Sequence, residues 1–255
     1  MGQVTKIDWC DSTWNPVTGC EHGCEYCYAR KIAERFSAEN KERTIVGDYF
    51  KHDLFSQCTV HGKKEPYPFG FKPTFHRYKL DEPKHWKKPR NIFVCSMADL
   101  FGDWVPDAWI DEVLRACEKA PQHRYLFLTK NTDRMNRMMI GGKLPNAYTD
   151  RYWFGNTWVP ASKHLAWGYG NHNSFVSIEP ILEPIIDQND LCRISAMRWI
   201  IVGAETGNRK GKVVPMREWI EDVMEIARIA NRPLYMKESL RELMGADFRQ
   251  EFPWS

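Results

Sequence analysis

The sequence predicts an α/β protein with a parallel sheet covered by helices, and two observations support this. From about residue 91 onward, short apolar runs alternate with longer amphipathic ones. The apolar runs are continuous, as in strands that are buried on both faces. The length of 255 residues suits a single (β/α) barrel, although periodicity alone does not separate a closed barrel from an open sheet.

The predicted elements follow one another in the order expected of such a fold. The first helix is predicted at residues 28–36, directly after a cluster of cysteines. Strands are predicted at residues 91–95, 125–128, 153–159, 174–178, 199–202 and 234–236. Helices are predicted at residues 106–120, 134–139 and 217–230, where apolar side chains recur on one face.

Residues 37–90 do not fit this alternation. They are rich in proline, lysine and aromatic residues and show no sustained periodicity, apart from one short helix predicted near residues 82–86. Loops longer than about 12–15 residues are usually functional, so this segment is a candidate cover for an active site. We therefore predict one domain over residues 1–255, with residues 37–90 as an irregular insertion after the first helix.

Composition excludes several classes of protein. With 43% hydrophobic and 13% aromatic residues, the chain is not intrinsically disordered. Its net charge, 36 − 33 = +3, is too mild to indicate a nucleic-acid partner. The lack of an N-terminal signal-like segment and of any apolar run of membrane-spanning length predicts a soluble, cytoplasmic protein with no membrane association. In that compartment, eight cysteines are not expected to form a disulfide framework.

Polar or charged residues stand at or shortly after the ends of nearly all predicted strands. They are Asp99, Lys130, Glu179, Glu205 and Lys237. In parallel α/β folds, ligands bind at the carboxyl ends of the strands, because those ends and their loops converge. The set is therefore a candidate ligand site, although strand ends are also polar simply because they meet solvent.

Three cysteines, Cys20, Cys24 and Cys27, form a C-x3-C-x2-C triplet on a loop that contains glycine. Three neighbouring thiolates suit a soft metal centre. A [4Fe–4S] cluster generally takes four thiolates, so a triplet leaves one iron open for a ligand that is not protein. The alternatives are a zinc site completed by Cys10 or His22, and a loop of unligated, reduced cysteines.

This triplet, with an aromatic residue at Tyr26 just before the last cysteine, resembles the signature of the radical S-adenosylmethionine (SAM) superfamily. The resemblance implies a full or partial (β/α) barrel, similar to a TIM barrel, with a [4Fe–4S] cluster on Cys20, Cys24 and Cys27. It also implies that SAM chelates the open iron and is cleaved to methionine and a 5′-deoxyadenosyl radical. The cluster would need an electron donor such as flavodoxin or ferredoxin.

Further cofactor-binding residues are implied by the same resemblance. Tyr26 would lie against the adenine of SAM. Ser96 and Asp99 occupy the place where many members of the superfamily hold the SAM amino group with Gly-Gly-Glu, a departure that leaves their role open. Gly203 lies in the strand that would pass under the adenine, and Lys130 is placed to bind a carboxylate of SAM or of the substrate.

Five longer stretches resemble a bacterial family first named from phage proteins, with similarity from about residue 7 to residue 237. They read DWCDSTWNPVTGCEHGCEYCYA, PKHWKKPRNIFVCSMADLFGDWVP, RYLFLTKN, SIEPI and WIIVGAETG. Members of that family include queuine lyase, which releases 7-aminomethyl-7-deazaguanine from queuine. The resemblance therefore implies a radical lyase that cleaves the C–N bond of queuine, a small nucleobase, in queuosine salvage.

Such a substrate places demands on the residues around it, since queuine carries a secondary amine that is protonated near neutral pH. Carboxylates should face this amine and the guanine-like N–H edge, because leaving a buried polar group unpaired costs about 1–3 kcal/mol. Glu179 and Glu205 are the candidates, since each follows an apolar strand. Lys237 is a candidate to bind the SAM carboxylate, to contact a substrate oxygen or to neutralise Glu205. The alternative for both glutamates is a buried salt bridge with Lys237 or Arg198 that only orders the site.

Asp11 and Asn15, which precede the cysteine loop, are further candidate substrate ligands. Trp14 and Trp158 are candidate stacking faces, although Trp14 is better explained as a core residue.

Two rival functions use other features of the chain. The basic run PKHWKKPR at residues 83–90 would allow a radical SAM enzyme to act on a base in tRNA or damaged DNA. The modest pI of about 8.3 speaks against this, and we expect a solvated basic loop with no nucleic-acid partner. The other rival is a non-enzymatic zinc-binding module.

Overall fold

The computed structural model describes residues 5–39, 41–145, 149–159 and 173–254. The first elements in chain order are β1 (Ser12–Trp14), β2 (Val17–Thr18), α1 (Tyr28–Arg35), β3 (Thr44–Ile45), β4 (Tyr49–Phe50), β5 (Asp53–Leu54), β6 (Cys58–Val60), β7 (Lys63–Lys64) and β8 (Thr74–His76). The remaining ones are β9 (Asn91–Val94), α2 (Asp107–Glu118), β10 (Arg124–Thr129), α3 (Thr132–Ile140), β11 (Tyr152–Thr157), β12 (Asn173–Ile178), α4 (Gln188–Ala196), β13 (Trp199–Val202), α5 (Arg217–Ile229), β14 (Leu234–Met236) and α6 (Arg241–Met244).

Seven strands form the main sheet, in the order β1-β9-β10-β11-β12-β13-β14. The pairings from β1 to β10 and from β11 to β14 are parallel. Strands β11 to β14 are buried along their whole length, which explains why their apolar runs are continuous. The predicted α/β class with a parallel sheet is confirmed, and the sheet is consistent with a partial (β/α) barrel.

The chain divides into two compact units. One unit comprises Met1–Thr5 and Cys10–Phe127, and its buried core includes Phe75, Ile92 and Val113. The other comprises Lys6–Trp9 and Leu128–Ser255. Its core contains Val176, Ile178, Ile200, Val202, Ile220 and Leu234. The single-domain assignment stays a prediction.

The predicted helices and strands of the main sheet lie within one or two residues of the observed ones. Strand β1 and two helices, α4 and the four-residue α6, were not predicted. In α4, Ile194 is the only buried residue, so its apolar signal is weak. The longest described helix, α5, has 13 residues. No helix among the described residues combines the length and the apolar character needed to span a bilayer.

The insertion at residues 37–90 is more regular than predicted. It contains strands β3 to β8, which contribute to two small sheets with the orders β2-β8-β5-β4 and β3-β6-β7. The prediction of irregular structure was wrong because strands of two or three residues are too short to produce a visible alternation. The short helix predicted near residues 82–86 is a 3₁₀ turn at Pro83–His85. The role of the insertion as a cover stays a prediction.

Candidate functional site

The cysteine loop begins where β2 ends and is held by backbone contacts on both sides. Gly19 has a φ of 90°, and a Cβ at this position would lie 2.3 Å from the carbonyl oxygen of Lys72. Only glycine fits there without moving the backbone. The N–H of Gly19 donates to the carbonyl of Met97 at 2.9 Å, and the N–H of Cys20 donates to that of Phe71 at 3.2 Å. The start of the loop is therefore fixed in position.

The three cysteines of the triplet are all partly exposed and lie within electrostatic range of one another. Cys27 is the N-cap of α1, and its Sγ accepts a hydrogen bond from the N–H of Arg30 at 3.3 Å. The pKa of Cys20 is raised to about 12, chiefly by burial and in smaller part by the nearby Asp99, Cys24 and Cys27, while a hydrogen bond from the backbone of His22 acts in the opposite direction. Metal binding at Cys20 therefore has to release a proton.

The donor set suits an iron–sulfur cluster, since it consists of three soft thiols on one short loop. As it stands, no group of three or more His, Cys, Asp or Glu side chains in the described ranges is arranged to hold a metal ion. Gly23, with a φ of 71° and open space where a Cβ would stand, gives the loop room to adjust. A cluster would therefore draw Cys20, Cys24 and Cys27 together. The zinc alternative, with Cys10 or His22 as a fourth ligand, requires the same adjustment.

The segment after β9 lies directly beside the cysteine loop. The side chain of Asn15 accepts hydrogen bonds from the Ser96 hydroxyl at 3.2 Å and from the N–H of Met97 at 2.9 Å. The hydroxyl of Tyr28, in the first turn of α1, donates to the carbonyl of Ser96 at 2.8 Å. The structure thus brings Asn15 and Ser96 together near the triplet, while their contacts with substrate or SAM stay predictions.

Asp99 also lies beside the loop, but its carboxylate already has partners. Oδ2 lies 2.7 Å from Nε2 of His22, and Oδ1 accepts from the N–H of Phe101 at 3.0 Å. Asp99 is only 5% exposed. The sequence suggests His22 only as a possible zinc ligand and gives no sign of its contact with Asp99.

Three other predicted residues of the first unit differ in their surroundings. The carboxylate of Asp11 accepts from the N–H of Asn91 at 2.7 Å and thereby orders the start of β9. Trp14 is 1% exposed, and its indole N–H donates to the carbonyl of Lys79. Its ring has no open face for a base, which corrects the prediction that it stacks on the substrate. Tyr26 is partly exposed within the loop.

In the second unit, Glu179 follows β12, Gly203 follows β13 and Lys237 follows β14. Lys237 forms an ion pair with Glu179, whose side chain is 26% exposed. A Cβ on Gly203 would lie 2.9 Å from Cδ of Lys237 and 3.1 Å from its Cβ. The glycine therefore makes room for the lysine stem. This close contact explains why position 203 is a glycine, without the adenine contact that the sequence resemblance implies.

Glu205 is 4% exposed and has a different partner from those predicted. The guanidinium of Arg209 donates to its two carboxylate oxygens at 2.7 and 2.8 Å, and the N–H of Val213 lies 3.4 Å from one of them. The hydrogen bonds from Arg209 hold the pKa of Glu205 below its ordinary value. The predicted partner Arg198 instead donates to the side chain of Asn173. No periodic pattern in this loop could have identified Arg209.

Two further candidates in the second unit have distinct environments. Lys130 is partly buried directly after β10. Trp158 is 2% exposed, and its indole N–H donates to the carboxylate of Asp190 at 2.8 Å. This burial corrects the prediction of a stacking face at Trp158.

The basic run at residues 83–90 is partly used by the fold itself. The guanidinium of Arg90 lies 4.9 Å from the ring centre of Trp86 and donates to the hydroxyl of Ser12 at 2.8 Å. The Trp86 ring also contacts His123 edge to face. The three lysines of the run are exposed. The aromatic residue of the run is thus engaged in packing.

Comparison with known proteins identifies the family. The model of a family described as "Protein of unknown function (DUF5131)" matches residues 4–242. The chain belongs to the DUF5131 family. The match includes all the stretches on which the sequence resemblance rests. A comparison with curated proteins found no significant match to this DUF5131 chain.

One solved structure similar to the DUF5131 chain is "Spore photoproduct lyase complexed with dinucleoside spore photoproduct". The TM-score is 0.50 at 10% sequence identity, and the similarity covers 92% of this chain and 78% of the other. At this level of identity the likeness shows the fold alone. It agrees with the partial (β/α) barrel.

Proposed function

We propose that this DUF5131 protein is a radical SAM lyase that holds a [4Fe–4S] cluster on Cys20, Cys24 and Cys27. The observation that carries the proposal is the triplet of thiols on a loop before β9 of a parallel α/β sheet. The fold likeness to a lyase favours an enzyme. When bound, the cluster and SAM would supply a 5′-deoxyadenosyl radical to the site.

The chain itself would hold and orient these groups. The backbone contacts of Gly19 and Cys20 fix the entrance of the loop, and the N–H of Arg30 donates to the Sγ of Cys27. Hydrogen bonds to cluster sulfurs tune the reduction potential, so the cap of α1 is a part of the proposed machinery. Ser96, held by Asn15, is the proposed polar contact for SAM.

For the substrate we propose queuine, with Glu179 as the carboxylate that meets its protonated amine. Glu179 is the better candidate of the two glutamates because its side chain is partly exposed, whereas both oxygens of Glu205 are bound by Arg209. Lys237, the partner of Glu179, would then contact a carboxylate or a substrate oxygen. A hydrogen atom removed from the cyclopentene ring would remain in 5′-deoxyadenosine, and C–N scission would then leave the unpaired electron on nitrogen. One electron from the reductant and one proton from solvent would complete 7-aminomethyl-7-deazaguanine.

The test is anaerobic incubation of the reconstituted protein with dithionite, SAM and queuine, followed by mass spectrometry. We expect 7-aminomethyl-7-deazaguanine together with 5′-deoxyadenosine, and neither product from Cys24→Ala. Formation of 5′-deoxyadenosine with queuine untouched would reject queuine as the substrate. A matched control is Cys192→Ala, which removes an exposed cysteine outside the triplet and should behave as the wild type.

A second candidate substrate is a base within a nucleic acid. Residues 37–90 contain 12 lysines and arginines and 7 aspartates and glutamates, so their net charge is 12 − 7 = +5 in a chain of +3. This basic segment favours contact with phosphates. Two results together would favour this alternative. The protein would bind tRNA or DNA with an affinity that falls steeply as salt is added, and it would leave queuine unchanged.

A further inference from the structure

The contact between His22 and Asp99 joins the cysteine loop to the segment that follows β9. His22 lies between Cys20 and Cys24, and Nε2 of its ring is 2.7 Å from Oδ2 of Asp99, a residue 77 positions away in sequence. Next to this contact, Gly19 pairs with Ala98 in a parallel bridge. The loop is therefore attached to the same segment by its backbone and by a side chain.

Both partners are held in place by further contacts. Asp99 is 5% exposed, and its other carboxylate oxygen accepts from the N–H of Phe101 at 3.0 Å. The His22 ring meets the ring of Trp104 edge to face, with centroids 4.9 Å apart. A Cβ on Gly102 would come within 2.3 Å of that indole, so the glycine is what allows Trp104 to lie there. These surroundings define the orientation of the His22 ring.

His22 also acts on a cysteine of the triplet through its backbone. The backbone of His22 lies beside the thiol of Cys20, close enough to lower the pKa of that thiol. One residue therefore contacts Cys20 through its main chain and Asp99 through its side chain. Any change at Asp99 that frees the His22 ring would loosen the backbone on which Cys20 depends.

We propose that His22 and Asp99 are a positioning pair that sets the cysteine loop for its cluster, and that Asp99 serves His22 rather than the amino group of SAM. The inference rests on the proposed iron–sulfur function. It assigns both residues a role in cluster assembly, which can be measured without turnover. Partners that orient a metal ligand from outside the coordination shell are worth about 10–100-fold in metal affinity.

The test compares His22→Ala, Asp99→Ala and the double variant with the wild type after anaerobic reconstitution. Two properties are measured: the rate of iron loss to a chelator, and the EPR spectrum of the reduced cluster before and after SAM is added. We expect each single variant to lose iron about tenfold faster. The double variant should be no worse than the singles, because the two side chains act as one unit. Clusters that remain should still respond to SAM.

Two further variants serve as controls. Glu21→Ala changes an exposed residue of the same loop and should match the wild type. Asp99→Asn keeps an oxygen that can accept hydrogen bonds and should retain iron better than Asp99→Ala. It also provides a variant of nearly unchanged shape if Asp99→Ala fails to fold, which circular dichroism of the apo protein reveals.

Specific results would overturn the inference. Normal iron retention in Asp99→Ala with no response of the EPR spectrum to SAM would make Asp99 a SAM ligand. Normal iron retention in His22→Ala would remove His22 from cluster assembly. If the wild type itself takes up no iron, the proposed function fails and the pair loses its role with it, so the two failures are distinguishable.

Discussion

Removing the Arg209 side chain should destabilise the second unit, because it leaves the carboxylate of Glu205 covered and without its main partner. The side chain of Glu205 is 2% exposed, and that of Arg209 is 21% exposed. Breaking a fully buried ion pair by deleting one partner costs about 3–5 kcal/mol. Burial affects the pKa of Glu205 less than the hydrogen bonds from Arg209 do, and the N–H of Val213 remains nearby. We therefore expect Arg209→Ala to lower the free energy of unfolding by about 2 kcal/mol near neutral pH, less than for a fully buried pair.

The loss of stability in Arg209→Ala should depend on pH in a defined direction. The hydrogen bonds from Arg209 lower the pKa of Glu205 in the folded state. A carboxyl group of this kind contributes stability above its unfolded pKa, which is about 4.3, and the contribution disappears as the pH falls through the lower folded pKa. The difference between wild type and Arg209→Ala should therefore be largest near neutral pH and shrink progressively below about pH 4.3.

Urea denaturation of wild type, Arg209→Ala, Glu205→Gln and the double variant, at neutral and acidic pH, measures these free energies of unfolding. Glu205→Gln should cost less than Arg209→Ala, since the unpaired arginine it leaves is partly exposed. The double variant should be less destabilised than the sum of the singles. A loss below about 0.5 kcal/mol for Arg209→Ala, or one independent of pH, would refute the reasoning, since surface substitutions typically lie within that range.

The cysteine loop and the ion pair at the strand ends provide three further tests. Cys24→Ala should abolish iron binding and turnover while Cys192→Ala retains both; iron analysis decides this, and full iron content in Cys24→Ala contradicts the cluster assignment. In Gly203→Ala the new Cβ would lie 2.9 Å from Cδ of Lys237, so we expect the free energy of unfolding, measured in urea, to fall by up to about 2 kcal/mol. Unchanged stability would show that the Lys237 side chain can move away without cost. Glu179→Gln should keep its iron but bind queuine about tenfold more weakly, which is about 1.4 kcal/mol by calorimetry; an unchanged dissociation constant removes Glu179 from the substrate site.

Strands β9 to β14 of the main sheet were predictable from the sequence because their apolar runs are largely buried, whereas β1, with only three residues, was not predicted. Runs such as the one in β13 are apolar throughout, and burial of every residue in that strand shows why. The strands of the insertion were not predictable, since β3, β4 and β5 have two residues each and cannot display a period. The helix α4 was missed for the related reason that it buries a single residue.

The cysteine loop could be selected as a candidate site from the sequence because its residues are close together. The spacing of Cys20, Cys24 and Cys27 predicts soft-metal chemistry without any structure. Contacts between side chains far apart in sequence have no such signature. The pairing of His22 with Asp99 spans 77 residues, and only the folded chain reveals it.

The bonding of Glu205 shows another limit of sequence reasoning. Arg209 is four residues from Glu205, a spacing that predicts an ion pair in a helix. The two residues lie in a loop, so the spacing by itself does not predict their contact. The chemistry of the residues was thus visible in the sequence, and the choice of partner was not.

The most direct test of the radical SAM assignment is EPR spectroscopy of the reconstituted, reduced protein before and after addition of SAM, together with metal analysis. We predict about four irons per chain and a spectrum that changes when SAM binds the open iron of a cluster held by three cysteines. A colourless protein with one zinc ion, or a cluster whose spectrum is indifferent to SAM, would contradict the assignment.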